Sequence, residues 1–202
     1  DLHLSLRRQR QMCIRDSNMP KGSLLSREGT ILVVIDVQEK LFAKMEEKEQ
    51  IAKNICRLIR FAEILGIPII ITEQYPKGLG PTIPEIRELA LGIKPIEKME
   101  FSCLASSTFK ERLSETQTRS LILTGIEAHI CVSQTAIEAL TSGYRVYVVA
   151  DAISSRRRED KMVAIERMRQ EGAIIVSSEM LMYEILRKAG TPEFKRVLEL
   201  VK

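Results

Sequence analysis

Three polar residues of the chain have types that suit nucleophilic catalysis. Cys131 supplies a thiol, Asp36 a carboxylate that could take the thiol proton, and Lys98 an ammonium group that would favour the anionic forms of both. Each also has an ordinary interpretation, as a buried structural cysteine, a helix cap or ion-pair partner, and a solvated surface charge. The catalytic interpretation therefore depends on whether the fold brings the three residues together.

The sequence around these residues places them near one edge of a predicted sheet. Asp36 directly follows the apolar run ILVVI, Cys131 lies just beyond another strand in the first turn of a helix, and Lys98 lies between two strands. Ligands of open parallel sheets bind outside the carboxyl ends of the strands. Because a helix N-terminus stabilises a thiolate, we expect a pKa for Cys131 below the ordinary value of about 8.5. Cys56 and Cys103 are interpreted as structural cysteines.

Strand and helix patterns alternate from residue 30 onward. Near-continuous β-branched runs predict buried strands at residues 31–36, 67–72, 121–126, 144–151 and 173–178. Apolar residues at helical spacing predict helices at 48–65, 129–142, 158–171 and 180–188 and a last helix from Pro192, whereas 73–86, rich in Pro and Gly, predicts coil. This alternation requires right-handed crossovers, so we expect an α/β fold, a three-layer α/β/α sandwich with a mostly parallel central sheet.

Composition narrows the class of protein. Of 202 residues, 45% are hydrophobic and 29% charged, as in soluble globular proteins. The net charge of +4 falls to +2 without residues 1–18, which hold four Arg and two Asp, so we expect no nucleic-acid partner. There is no apolar run of membrane-spanning length, and the four cysteines lack metal-site or disulfide spacing, so we expect no membrane partner and a reduced, cytoplasmic location.

Residues 1–18 differ from the rest of the chain. They show no apolar periodicity and no helix cap, so we interpret them as non-native sequence, with a disordered basic arm as the alternative. The predicted single domain covers residues 19–202.

The order of four motifs resembles a known family. VVIDVQEKLF, KMEFSCL, TGIEAHICVSQTAIEAL and VYVVADAISSR are similar to the signatures of the isochorismatase-like cysteine hydrolases, from Thr30 to about Ser178. The resemblance implies that family's Rossmann-like topology and a catalytic triad of Asp36, Lys98 and Cys131. It also implies a cis peptide bond before Glu127, in a loop whose Glu127 and Cys131 N–H groups would form an oxyanion hole.

Four further residues are candidates for the walls of a substrate pocket. They are Gln38, Tyr75, Phe101 and His129, the two aromatic residues offering faces for a flat substrate. His129 lies two residues before Cys131, and residues two apart on a helix do not share a face. We therefore interpret it as a substrate contact or a packed loop histidine, not as the base of a Cys–His dyad.

Departures from relatives narrow the expected chemistry. The resemblance is to small family members of undefined substrate, because the histidines that hold the nicotinamidase metal are missing between Asp36 and Lys98. We expect no metal and no cofactor, a small-molecule substrate and a homo-oligomer. The expected reaction is hydrolysis of a small amide-type carbon–nitrogen bond through a thioester on Cys131. The alternatives are a ligand-binding or redox scaffold, isochorismate-type ether hydrolysis and, more weakly, nucleic-acid binding by the Arg-rich residues 1–18.

Overall fold

The structure is a computed structural model that describes residues 23–202. The predicted arm at residues 1–18 lies outside the described residues, and the interpretation of it stays a prediction.

A six-stranded parallel sheet forms the centre of the fold. In chain order its strands are β1 (Thr30–Ile35), β2 (Ile69–Gln74), β3 (Ile96–Lys98), β4 (Ser120–Ile126), β5 (Arg145–Ser154) and β6 (Ile174–Val176). Their order across the sheet is β3-β2-β1-β4-β5-β6. The chain thus builds outward from β1 on one side and then from β4 on the other. The crevice between the carboxyl ends of β1 and β4 is the switch point at which such sheets bind ligands.

Helices cover both faces of the sheet, which confirms the predicted α/β/α sandwich. They are α1 (Glu39–Phe42), α2 (Lys48–Leu65), α3 (Pro76–Leu79), α4 (Pro84–Leu89), α5 (Ser107–Ser114), α6 (Ser133–Thr141), α7 (Arg158–Gln170), α8 (Ser178–Leu186) and α9 (Pro192–Val201). A 3₁₀ turn spans Cys103–Ala105, and a π-helical turn spans Ala128–Val132 directly before α6. Among the described residues, no helix combines the length and apolar character needed to cross a membrane.

Two elements near the site differ from the sequence prediction. Lys98 does not lie in a loop between strands, because it ends β3, a strand of only three residues that was not predicted. The segment predicted as coil at 73–86 contains the short helices α3 and α4, each of which starts at a proline. Proline is favourable in the first helical turn, so here it begins helices and does not mark coil.

Two apolar cores lie on opposite faces of the sheet. Strand β1 is buried along its whole length and contributes alternate side chains to each core: Leu32 and Val34 to one, Ile31, Val33 and Ile35 to the other. The second core also contains Cys103 and Cys131. Rigid packing on both sides of β1 thus fixes the point at which Asp36 leaves the strand.

Gly125 allows β4 to approach β1 closely beside that point. Its φ of 107° is unfavourable for other residues, and an added Cβ would overlap the backbone N, C and O atoms of Ile35. We expect Gly125→Ala to lower the free energy of unfolding by more than about 1 kcal/mol, since both the conformation and the contact exclude a methyl group. Urea titration followed by circular dichroism measures this. Gly92→Ala, where the new Cβ would have no neighbour within 4 Å, is the matched control. Equal stability of the two variants would contradict the expectation.

Candidate active site

A buried ion pair joins the ends of β1 and β3. The side chains of Asp36 and Lys98 are both 0% exposed, and Lys98 Nζ lies 2.6 Å from Asp36 Oδ2. The other carboxylate oxygen, Oδ1, accepts a hydrogen bond of 2.7 Å from the Thr72 hydroxyl on β2. Both oxygens of this buried carboxylate are therefore compensated, as burial of a charge requires. Thr72 was not among the predicted site residues.

The Lys98 ammonium group has four acceptors. Besides Asp36 Oδ2, it donates to Gln74 Oε1 over 3.0 Å and to the carbonyl oxygens of Glu100 and Phe101 over 3.1 and 3.3 Å. Burial by itself would lower the pKa of Lys98, but the Asp36 carboxylate and the nearby thiols raise it above its ordinary value. Lys98 is therefore a permanent cation at neutral pH.

The Cys131 thiol lies in the same cluster. Cys131 is on the π-helical turn and is 5% exposed, and the charges of Asp36 and Lys98 both act on its thiol. Burial first, and the Asp36 charge second, raise the pKa of the thiol well above its ordinary value, and Lys98 only partly opposes them. The predicted resting thiolate is therefore wrong, because burial and a neighbouring carboxylate outweigh the helix N-terminus. The site holds a neutral thiol beside a carboxylate.

Cys103 is a second thiol at this cluster. It is fully buried, its Sγ lies 3.9 Å from the Thr72 hydroxyl, and its backbone N–H donates to Thr135 Oγ1 over 2.9 Å. Burial, with the Asp36 charge next, raises its pKa to about 11. The sequence interpretation as a structural cysteine missed its place beside the site. The available signal was its position in KMEFSCL, five residues after Lys98.

The Ile126–Glu127 peptide bond is cis, at the position that the family resemblance implied. The Glu127 side chain is buried, and its Oε2 accepts hydrogen bonds from the backbone N and the Nε of Arg156, over 3.2 and 3.0 Å. These contacts tie the end of β4 to the loop after β5. The Glu127 carboxylate is thus held by an ion pair and turned toward that loop.

Gln38, a predicted wall residue of the substrate pocket, is held by hydrogen bonds to backbone atoms around it. The residue is fully buried, and its Nε2 donates to the carbonyl oxygens of Gln74 and Gly80 over 3.0 and 2.7 Å. Its Oε1 accepts from the Gln74 N–H over 2.7 Å. These bonds fasten the loop after β1 to the end of β2, and a substrate contact of Gln38 stays a prediction.

The other predicted wall residues lie nearer to solvent. Tyr75 is 47% exposed and borders a cavity of about 410 Å³ that Lys98 also lines, whereas Phe101, 54% exposed, is outside that lining. His129 Nδ1 pairs with Ser155 Oγ at 2.9 Å, and its Nε2 lies 4.0 Å from Asp160 Oδ2. Tyr75 thus borders the space beside Lys98, and His129 links the Cys131 turn to α7. Within residues 23–202, no group of three or more His, Cys, Asp or Glu side chains could hold a metal ion.

The fold is a parallel α/β sandwich that holds a buried thiol, carboxylate and ammonium group at its switch point. Fold and site together are those of an α/β protein with a buried cysteine site. Residues 30–180 match the isochorismatase domain, and the chain belongs to this family of hydrolases. The resemblance inferred from the four motifs is confirmed.

Relatives of known sequence or structure share this domain. Isochorismatase domain-containing protein 2A of Mus musculus is 41% identical over 175 residues, which cover 87% of this chain and 84% of that protein. The structure of MAR1 ribonuclease from Caenorhabditis elegans is 38% identical, has a TM-score of 0.83, and is matched over 88% of this chain and 92% of that one. YcaC from Pseudomonas aeruginosa, solved with covalent acrylamide, shares the fold with a TM-score of 0.83 at 22% identity, over 90% and 93% of the two chains.

Proposed function

We propose that this protein is a cysteine-dependent hydrolase that cleaves small amide-type carbon–nitrogen bonds through a thioester. The observation that carries the proposal is the buried Asp36–Lys98 ion pair, 2.6 Å long, whose two charges act on the Cys131 thiol. A thiol near a base, with a third group that holds the base, is the arrangement of an activated nucleophile.

The reaction follows from these contacts. Asp36 accepts the thiol proton while the Cys131 sulfur attacks the carbonyl carbon, and the carbonyl oxygen becomes an oxyanion. The N–H groups of Glu127 and Cys131 are the proposed donors to that oxyanion. Asp36 returns its proton to the leaving nitrogen, the carbon–nitrogen bond breaks, and the thioester remains. A water molecule, deprotonated by Asp36, then releases the acid and restores the thiol.

Lys98 serves each step electrostatically. Its ammonium group is fixed by four acceptors and stays charged. Only the Asp36 carboxylate and the Cys131 thiol therefore change their charge during the reaction. When the thiol proton moves to Asp36, Lys98 offsets the new thiolate in place of the lost carboxylate charge. The proton therefore moves without leaving a buried anion unpaired.

Burial of the site favours a small substrate. Asp36, Lys98 and Cys131 are 0%, 4% and 5% exposed, and Lys98 also lines a cavity of about 410 Å³, the size of a small-molecule pocket. A polymer backbone would meet little exposed surface at these three residues. We therefore favour a small amide over RNA, although a relative from Caenorhabditis elegans carries the name of a ribonuclease.

The proposal is tested with a panel of small primary amides, ureides and hydroxamates, with RNA as a separate arm. We expect release of the amine and, by intact-mass measurement after rapid quenching, an acyl adduct on the peptide that contains Cys131. Cys131→Ala should give neither. RNA cleavage that depends on Cys131, without turnover of any amide, would replace this proposal with a nuclease function.

Asp36→Asn separates the base from the nucleophile. The Asp36 charge raises the pKa of Cys131 and Lys98 lowers it, so loss of the carboxylate lowers the thiol pKa and increases the thiolate fraction at neutral pH. We expect iodoacetamide to label Cys131 faster in this variant than in the parent, while amide turnover is lost. Labelling across a pH series is read by mass spectrometry, with Cys56 as the internal reference.

The matched control is Asp160→Asn, which removes a carboxylate near His129 and leaves in place the Asp36 charge that acts on the thiol. Its labelling rate should equal that of the parent. Slower labelling of Cys131 in Asp36→Asn would show that the carboxylate lowers the pKa of the resting thiol, opposite to the direction expected from its charge.

A further inference from the structure

Two buried thiols flank the Asp36–Lys98 pair, and the proposed reaction uses only one. Cys131 is 5% exposed and Cys103 is 0% exposed. The charges of Asp36 and Lys98 act on both thiols. Cys103 is therefore a buried nucleophilic group near the reacting sulfur, and it takes no part in the proposed hydrolysis.

The contacts of Cys103 lead to Asp36, the carboxylate whose charge also acts on Cys131. Its Sγ lies 3.9 Å from Thr72 Oγ1, and that hydroxyl donates to Asp36 Oδ1 over 2.7 Å. The Cys103 backbone N–H donates to Thr135, four residues and about one helical turn after Cys131. Cys103 thus packs against the helical turn that follows Cys131, and the Thr72 hydroxyl connects the Cys103 sulfur to the Asp36 carboxylate.

We propose that Cys131 and Cys103 form a reversible disulfide when a peroxide enters the site. The proposal rests on the proposed function only in taking Asp36 as the base for Cys131. Asp36 takes the thiol proton, and the Cys131 sulfur attacks one peroxide oxygen and breaks the O–O bond. The leaving hydroxide takes that proton and becomes water. Cys131 is then a sulfenic acid, oxidised by two electrons, and the peroxide is reduced.

The second step uses Cys103. Asp36 draws the Cys103 proton through the Thr72 hydroxyl, and the Cys103 sulfur attacks the Cys131 sulfur. The S–O bond breaks, and hydroxide leaves as water with the proton from Asp36. Overall, two thiols and one hydrogen peroxide give one disulfide and two waters.

Burial determines which of the two thiols an oxidant reaches first. Cys131 is 5% exposed and Cys103 is 0% exposed, so an oxidant from solvent meets the Cys131 sulfur before the Cys103 sulfur. A disulfide would stop oxidation before the sulfinic acid, which thiol reductants do not reverse. Both thiols keep their protons at neutral pH, since burial raises the pKa of each. Oxidation would thus switch hydrolysis off reversibly.

The test uses the full chain with Cys13→Ser and Cys56→Ser, which leaves only Cys103 and Cys131. After hydrogen peroxide, we expect a linked peptide pair containing Cys103 and Cys131 by non-reducing mass spectrometry, with loss of iodoacetamide labelling that dithiothreitol restores. In Cys103→Ala and Cys103→Ser, peroxide should carry Cys131 to the sulfinic acid, and dithiothreitol should restore no labelling. Dibromobimane, which bridges neighbouring thiols, should link the two cysteines in the untreated protein.

Three outcomes would overturn the proposal: no dibromobimane bridge, sulfinic acid on Cys131 without a linked pair, or full recovery of labelling in both Cys103 variants. The result is independent of hydrolysis, because labelling and linkage need no substrate. A disulfide in a protein that turns over no amide would refute the proposed function and support this pair.

Discussion

Cys131→Ser is expected to lower turnover of an amide substrate by on the order of 10⁴-fold or more, the scale on which loss of a catalytic nucleophile acts. The serine hydroxyl is nearly isosteric with the thiol, but it gives up its proton far less readily. Within residues 23–202, the carboxylate of Asp36 bonds the Thr72 hydroxyl and the Lys98 ammonium group, and neither is a base that could help a serine hydroxyl. The rate of the chemical step should therefore fall while substrate binding changes little.

The measurement is kcat and KM for the best amide of the panel, with circular dichroism to show that the variant is folded. Cys56→Ser, on α2 and away from the cluster, is the matched control and should keep the parent rate. A Cys131→Ser variant within about tenfold of the parent would exclude this sulfur as the nucleophile, since that difference is only about 1.4 kcal/mol in activation free energy.

Lys98→Met is expected to lower the free energy of unfolding by about 3–5 kcal/mol, the usual cost of removing one partner from a buried ion pair. Methionine fills much of the lysine volume, so the loss comes from the Asp36 carboxylate, which remains 0% exposed without its cation. Gln74 Oε1 and two carbonyl oxygens also lose their donor. Urea unfolding followed by circular dichroism gives the value.

The double variant Asp36→Leu with Lys98→Met distinguishes charge from packing. Replacing a whole buried pair by apolar residues is often neutral or stabilising, so most of the lost stability should return although catalysis does not. Lys202→Met, which removes an exposed partner of Glu199, should cost less than about 1 kcal/mol. A double variant as unstable as Lys98→Met alone would show that the site is held by its shape and not by its charge pairing.

Long apolar runs made much of this fold predictable. The runs that end at Asp36 and at Ile126 are strands buried on both faces, and parallel pairing of β1 with β4 brings their ends together. The family motifs then selected Lys98. Strand β3 could not be found in this way, because three residues carry too little periodicity to separate a strand from a loop.

The contents of the site were less predictable than its position. Local patterns do not say which way a side chain points. Thr72 and Cys103 were therefore missed as neighbours of Asp36. The backbone bonds of the Gln38 amide, a predicted pocket residue, were not foreseen either. The predicted protonation state of Cys131 was wrong for a related reason. Its pKa depends on burial and on a carboxylate 95 positions away in the chain, and neither is visible in the residues around it.

The π-helical turn Ala128–Val132 sets the rotational phase of Cys131 about the axis of the helix that follows. A π turn accommodates one residue more than an α-helical turn, and each residue of an α-helix rotates the side-chain direction by about 100°. Deleting one residue here, such as Ala128, would let the turn become α-helical. It would then either turn Cys131 away from Asp36 or rotate α6 within the core. This segment should therefore accept changes of residue type far more readily than any change of length.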